Sequence, residues 1–370
     1  MLNRFFIALR EYGYGAQRSL PGLDGLRAIC IVFVLVSHLA GTAHFPLPHN
    51  LSTSRLGEFG VRVFFVISGF LITSILLAEL RRKDDISLGR FYFRRTLRLL
   101  PAAYFFIFVI AILAMQHVMS LERWDLTFAA TYTMNYHPVS GWPVGHLWSL
   151  AIEEQFYILW PAILLTLGAL RSSRFLIGLL FLAPLLRLAS PYVAPAFSFL
   201  IWSDALATGC LLALLRENLA ANVHYSRLLA SRWFVLVPTV AMIANFVPSA
   251  KLNWLVCGTV MNLAIAISVD WAMRNSHTAV GRFLNWPAIS FLGVFSYSCY
   301  LWQQLFLNRE STSPYCAFPL NLFLAIAAAL ASYLVVEAPI LRLRAVFERT
   351  RDRRRSFANT TPSPSPSSPV

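Results

Sequence analysis

Ten apolar runs divide this chain, near 23–43, 58–80, 99–118, 147–170, 175–190, 197–215, 233–249, 252–273, 283–307 and 320–341. A helix needs about 20 apolar residues to cross the bilayer core, so runs of this length, repeated this often, leave few alternatives to a helical membrane bundle. Charged residues make up only 13% of the sequence and hydrophobic ones 57%, a balance foreign to a soluble domain of this size. The expected fold is an all-α polytopic integral membrane protein with about ten transmembrane helices and no soluble domain. A segment at 124–138 is short and polar, and charge decides whether it spans. If it does not, 24 Lys and Arg fall in loops on one side and 5 on the other. If it does, every later loop inverts and the bias collapses. The positive-inside rule therefore places both termini in the cytoplasm and makes 124–138 a re-entrant or surface-lying piece.

The formal net charge of +14 raises nucleic acid as a partner. The cations sit in short loops between apolar runs, which is the membrane pattern instead, so no nucleic acid is expected and the lipid bilayer is. Five cysteines are scattered without CxxC spacing, indicating neither a disulfide framework nor a metal site. Residues 1–19 read as a cytoplasmic interfacial segment, 20–342 as the transmembrane domain, and 343–370 as a basic stretch followed by a disordered Ser/Pro-rich tail. With no room for a soluble domain, any chemistry must take place among the helices.

Ionisable side chains inside such helices are costly and mark functional paths. The first run carries Asp24, Arg27 and His38. Arg27 and His38 are eleven residues apart, which puts them roughly 20° from a common face and roughly 16.5 Å apart along the axis. Ser68 and Gly69 sit mid-way along the second run, as a close-packing pair or with the hydroxyl facing a substrate. Arg94, Arg95 and Arg98 enter the third run together, and clustered guanidinium groups suit phosphate. The fourth run opens GHLWSLAIEEQFYILWP, with Trp148 as an interfacial aromatic and Glu153 and Glu154 inside an apolar helix. Glu153 could meet His38 in the outer half, giving the imidazole and carboxylate of general acid–base chemistry, or it could form an ion pair with Arg62. Arg187 and Asp204 read as a buried structural pair, and Asp270 as an anchor near a helix end. Tyr297, Tyr300 and Gln303 line a polar pocket or glue helices together.

Six stretches, in order, resemble the acyltransferase-3 family of membrane O-acyltransferases. They are LPGLDGLRAICIVFVLVSH, GVRVFFVISGFLIT, FYFRRTLRLLP, GHLWSLAIEEQFYILWP, SYSCYLW and VEAPI. The resemblance covers 20–342 and implies a transmembrane acyltransferase domain at the bacterial inner membrane. It implies acetyl-CoA as donor substrate, no permanently bound cofactor, and a glycan or lipid-linked saccharide as acceptor. By the same resemblance Arg27 and His38 match the family's arginine and essential histidine, and Asp24 its preceding acid. Ser68 and Gly69 match its FFxxSGF segment, Arg95 and Arg98 its RRxxR run, and Trp148 and Glu153 its WSLxxE segment. Many members have a histidine after SYxLYLW where this chain has Gln303, which argues against Gln303 in proton transfer. Some members continue into a soluble esterase-like domain, and none is expected here.

Combined, the readings give a mechanism. The CoA phosphates dock on Arg94, Arg95 and Arg98, and Arg27 guides the pantetheine arm. Ser68, Trp148 and Tyr297 contact substrate. His38 acts as general base or transient acyl carrier, and Glu153 orients or charge-stabilises its ring. The rival is a transporter of a glycan or lipid precursor, which internal symmetry would favour; no repeat is visible in the sequence.

Overall fold

The structure, a computed structural model, describes residues 6, 7, 20–193 and 196–347, and these form helices and connecting turns with no strand. The expected interfacial segment thus lies mostly outside the described residues; Phe6 alone of its aromatics is placed, with its ring 5.6 Å from that of Phe291. The principal helices are α1 (Leu23–Leu39), α2 (Leu51–Lys83), α3 (Leu88–Met115), α4 (Leu147–Val193) and α5 (Ser198–Ala221). They continue with α6 (Arg232–Phe246), α7 (Ala250–Arg274), α8 (Pro287–Phe306) and α9 (Leu320–Phe347). α9 runs to Phe347, past the boundary expected at 342, and the Ser/Pro-rich stretch lies outside the described residues.

Among the described residues six helices are long and apolar enough to cross a membrane, or seven if the segments Val223–Ala230 and α6, bent by 78°, make one span. Their interiors are close-packed for a sequence reason. Gly69 on α2 lies against the carbonyl of Leu206 on α5, and Gly209 on α5 lies against that of Val66 on α2. A side chain at either point would strike backbone. Small residues at a crossing let two membrane helices approach until their backbones touch. The same device seats α1 on α8, where Gly293 lies against the carbonyl of Asp24.

The segment 124–138 does not form a helix of spanning length. It holds a six-residue helix, Asp125–Ala130, and a turn at Met134–Tyr136. Buried Asp125 fixes the first by accepting from the Glu122 N–H at 2.8 Å, and Gln155 of α4 fixes the second by donating to the Tyr132 carbonyl at 2.8 Å.

The helix ends sort into two sets. At one end the Gly22 N–H donates to Asn285 at 2.9 Å, Arg81 pairs with Glu217 at 2.6 Å, and Arg344 reaches the Arg94 carbonyl at 3.5 Å. At the other, the Phe318 N–H donates to the Ala43 carbonyl at 2.9 Å, Arg55 reaches the Val247 carbonyl at 2.5 Å, and Trp142 donates to the Gln304 carbonyl at 2.8 Å. The first is the basic end, where residues near 22, 81, 94, 217, 285 and 344, all from loops or helix ends that the charge count put on one side, meet. Asp270 lies there too, but not as an exposed anchor. It is fully buried and accepts from Arg216, Tyr225 and Arg274 at 2.8 to 3.3 Å, so it ties α5, α7 and the Val223–Ala230 helix together. A sequence position near a helix end does not reveal that three donors converge on it.

Gly209→Ala is expected to destabilise the protein by about 1–3 kcal/mol through overpacking. Gly178→Ala, in α4 with open space around the added methyl, should be neutral or slightly stabilising. Thermal unfolding of the two variants in one detergent checks the difference.

Candidate active site

A cavity of about 390 Å³ opens among α2, α3, α4 and α8 at the basic end. Arg27, Arg82, Arg94, Arg95, Arg98 and Arg344 line it. Glu79, Glu153 and Glu337 are the acids of its wall, so the lining carries an excess of positive charge. Arg82, which sequence alone reads as a topology signal, therefore shares the wall with the arginines expected there, and so does Arg344 of α9. Glu337 lies at the end of a π-helical turn, Tyr333–Glu337, and accepts from Ser298 at 2.5 Å. Such turns re-aim a side chain and recur at functional sites.

A second, smaller cavity continues toward the other end. Arg27, Ser68, Glu153 and Tyr297 line both, so these four residues form the junction. Glu153 is the hub. Ser68 donates to its Oε1 at 2.5 Å, Tyr157 donates to the same oxygen, and Arg95 pairs with it at 3.2 Å. Arg95 also lies 3.6 Å from Glu154 and 3.5 Å from the centre of the Tyr157 ring. Ser68 has no base near it in sequence, yet in space it faces a carboxylate. Tyr297 donates to the Leu99 carbonyl at 2.8 Å and so holds α8 against α3.

The far wall of the small cavity is Ser149 and Tyr300. Tyr300 donates to the His146 carbonyl at 2.8 Å and contacts the Ser149 hydroxyl at 2.6 Å. His146 is buried, with Nε2 3.1 Å from the Leu301 carbonyl and no hydrogen-bond partner on Nδ1. His38 follows. Its Nδ1 lies 2.6 Å from Oε1 of Gln303, and its ring meets Trp142 edge-on at 5.7 Å. With the amide oxygen facing it as acceptor, a neutral His38 ring carries its proton on Nδ1 and presents Nε2 without one.

This corrects two expectations. The partner of the His38 ring is Gln303 and not Glu153; Glu153 belongs to the junction, where Ser68, Tyr157 and Arg95 meet it. Nor does Glu153 pair with Arg62, which sits 3.6 Å from Asp204 and 3.1 Å from Asn262. The pair of Arg187 and Asp204 forms as expected, joined by Arg62. Of the remaining expected residues, Asp24 occupies the first turn of α1, fourteen residues and about 21 Å from His38. Trp148 packs on Phe65 and Trp202, outside the linings of both cavities. Sequence reasoning passed over His146, Tyr157 and Ser149. The signal was present: Ser149, Glu153 and Tyr157 recur at intervals of four, one polar stripe on an apolar helix, and His146 stands three residues before Ser149.

Polar groups thus follow one another from the arginine cavity through Glu153 to Tyr300 and His146, and His38, which lines neither cavity, sits beside Gln303 and Trp142. The acyltransferase-3 family, described as an acyltransferase domain, matches residues 20–336. The chain belongs to this family. O-acetyltransferase OatA of Staphylococcus aureus (strain NCTC 8325 / PS 47) is 29% identical over 362 residues, which is 88% of this chain and 58% of that protein. Putative peptidoglycan O-acetyltransferase YrhL of Bacillus subtilis (strain 168) is 31% identical over 323 residues, 78% of this chain and 48% of that protein. The chain therefore spans about half the length of these curated relatives. No solved structure matches it. The family match covers the residues of both cavities except Glu337 and Arg344, which extend the arginine cavity beyond it.

The ionic cluster around Asp204 is separable from this line. Arg187→Leu removes one partner of a buried pair and should cost about 3–5 kcal/mol of stability. Arg98→Leu, at the cavity wall, should leave the melting temperature within a few degrees of wild type. Parallel thermal melts in detergent test the contrast.

Proposed function

We propose that this acyltransferase-3 protein is an O-acetyltransferase that carries an acetyl group from cytoplasmic acetyl-CoA to a hydroxyl of a cell-envelope glycan or lipid-linked saccharide. The observation that carries the reading is the arrangement of the polar line: a phosphate-suited cavity at the basic end, and a histidine with a bare nitrogen toward the opposite end. The names of the relatives favour O-acetylation, and that of the Bacillus protein favours a peptidoglycan acceptor.

In this reading the chain crosses the membrane ten times, with both termini in the cytoplasm. The 47-residue α4 breaks at Gly168, whose φ of 69° and ψ of 172° are not helical, and so serves as two spans. α1 with 17 residues, α8 with 20 and the bent pair complete the set. The basic end then faces the cytoplasm, where positive loops are retained.

The phosphates of the donor lie on Arg94, Arg95 and Arg98, with Arg82 and Arg344 beside them. Guanidinium forks bind phosphate with two parallel hydrogen bonds, which fixes orientation as well as affinity. The pantetheine arm extends past Arg27 and the Glu153 junction toward Tyr300. At the far end the acceptor hydroxyl gives its proton to Nε2 of His38 as its oxygen attacks the thioester carbonyl. The tetrahedral adduct collapses to the ester, and the departing thiolate takes the proton from the imidazolium. Gln303 is a neutral partner. It holds the ring and its tautomer, and it adds no charge to stabilise the imidazolium, unlike the carboxylate of a hydrolytic triad.

Membranes with labelled acetyl-CoA and a complete envelope fraction test the proposal. Wild type should place label in alkali-labile esters, and His38→Ala should lower the rate by about 10²–10⁴, the usual contribution of a general base. Equal labelling by both proteins removes His38 from the mechanism, and no labelling by wild type removes the transferase reading. Arg95→Ala should raise KM for acetyl-CoA, and a shift confined to the acceptor KM would put the donor elsewhere.

A further inference from the structure

At the end of the bundle opposite the arginine cavity, the surroundings of His38 hold a cation that neither the fold nor the donor explains. Arg309 lies in the loop after α8, half-buried, with its guanidinium 4.7 Å from the centre of the Trp142 ring. The same indole meets His38 edge-on at 5.7 Å. Trp142 is itself fixed by its Nε1 donating to the Gln304 carbonyl at 2.8 Å, so one rigid ring sets the spacing between the base and the cation. Arg309 also contacts Nδ1 of His49, whose Nε2 lies 3.3 Å from the Ser54 hydroxyl. Burial, and then the Arg309 charge, hold the His49 imidazole below its ordinary range, so at neutral pH it accepts from Arg309 rather than competing with it.

Arg309 has no carboxylate in ion-pair contact among the described residues; Glu310, its exposed neighbour, acts on it only at longer range. That sets it apart from the arginines of the interior, since Arg62, Arg95, Arg187, Arg216 and Arg274 each pair with an acid. A guanidinium aimed by an indole and a neutral imidazole, and left without an acid, is arranged to receive one. The donor cannot supply it, because its phosphates belong to the cavity at the other end.

We propose that the acceptor carries an acidic group, a carboxylate or a phosphate, that pairs with Arg309 while a nearby hydroxyl of the same molecule reaches His38. This rests on the transferase reading and narrows its acceptor to acidic glycans or pyrophosphate-linked saccharides. Trp142 then acts as the spacer that selects which hydroxyl lies at Nε2, and His49 as the positioning residue for the guanidinium.

The test uses membranes bearing the full chain, labelled acetyl-CoA, and the envelope extract of the source cells split by anion exchange into neutral and acidic pools. Label should enter the acidic pool. Carbodiimide amidation of that pool abolishes the labelling if the group is a carboxylate, and pyrophosphatase with phosphatase abolishes it if it is a phosphate. Arg309→Gln should cost about tenfold or more in kcat/KM for the acidic pool, in line with one lost charge-assisted hydrogen bond, with the loss falling on acceptor KM. Arg309→Lys should recover part of it. Label spread equally over neutral and acidic pools, or Arg309→Gln indistinguishable from wild type, overturns the inference and leaves the transferase standing. Absence of label from every pool with wild type overturns the transferase reading and this inference with it.

Discussion

A carboxylate held among apolar helices must be matched by a cation and by hydrogen-bond donors, because stripping its hydration costs several kcal/mol otherwise. Glu153 is matched in this way, by Arg95 from α3, Ser68 from α2 and Tyr157 from its own helix. Three helices are thereby held at one height, and that height is where the two cavities meet. Take away the carboxylate and Arg95 keeps Glu154 and the Tyr157 ring but loses the nearer of its two acids. Everything on either side takes its position from this point: phosphate-suited arginines toward the basic end, and tyrosine, histidine and glutamine toward the other.

The line beyond the junction is built by helical repeat rather than by loops. α4 supplies Ser149, Glu153 and Tyr157, with His146 in the turn just before it, and α8 supplies Tyr297, Tyr300 and Gln304, at intervals of three or four residues. Polar groups on two facing helices can satisfy one another without water, as Tyr300 does with Ser149 and the His146 carbonyl. Such pairs leave the bundle close-packed elsewhere, and the glycines at the α2–α5 crossing then bring backbones into contact without opening the interior. Rigid elements, not mobile loops, thus place His38, Gln303 and the junction. The loops contribute at the open end, where Arg309 and His49 meet the Trp142 ring.

Much of this was legible in the sequence. Hydropathy gave the helical class, and the short polar composition of 124–138 its lack of a helix of spanning length. The cost of lone buried charges paired Arg187 with Asp204. The places where sequence reasoning failed share one cause, which is that a helix has a phase and a depth relative to its neighbours that its own sequence does not state. Glu153 was matched with His38 or Arg62 because all three are ionisable and near the same end by count; the structure gives it Arg95. For Gln303 the sequence argues against proton transfer, and what it does not state is that the amide oxygen sits 2.6 Å from Nδ1 of His38. Ser68 has no carboxylate adjacent in sequence, and the one it donates to, Glu153, comes from another helix. Arg82 was read as topology alone, though a loop cation can satisfy the charge bias and line a cavity at once.

In the proposed function the donor enters at the basic end, which faces the cytoplasm in that reading, and the ester forms at the opposite end. Sealed vesicles of the two orientations, given labelled acetyl-CoA on the outside only, test it directly. Inverted vesicles, which present the cytoplasmic end outward, should accumulate ester label that an added esterase cannot reach until the vesicles are opened, and right-side-out vesicles should accumulate none. Equal labelling in both orientations, or ester that the esterase removes from intact inverted vesicles, would contradict a path through the bundle from the arginine cavity to His38.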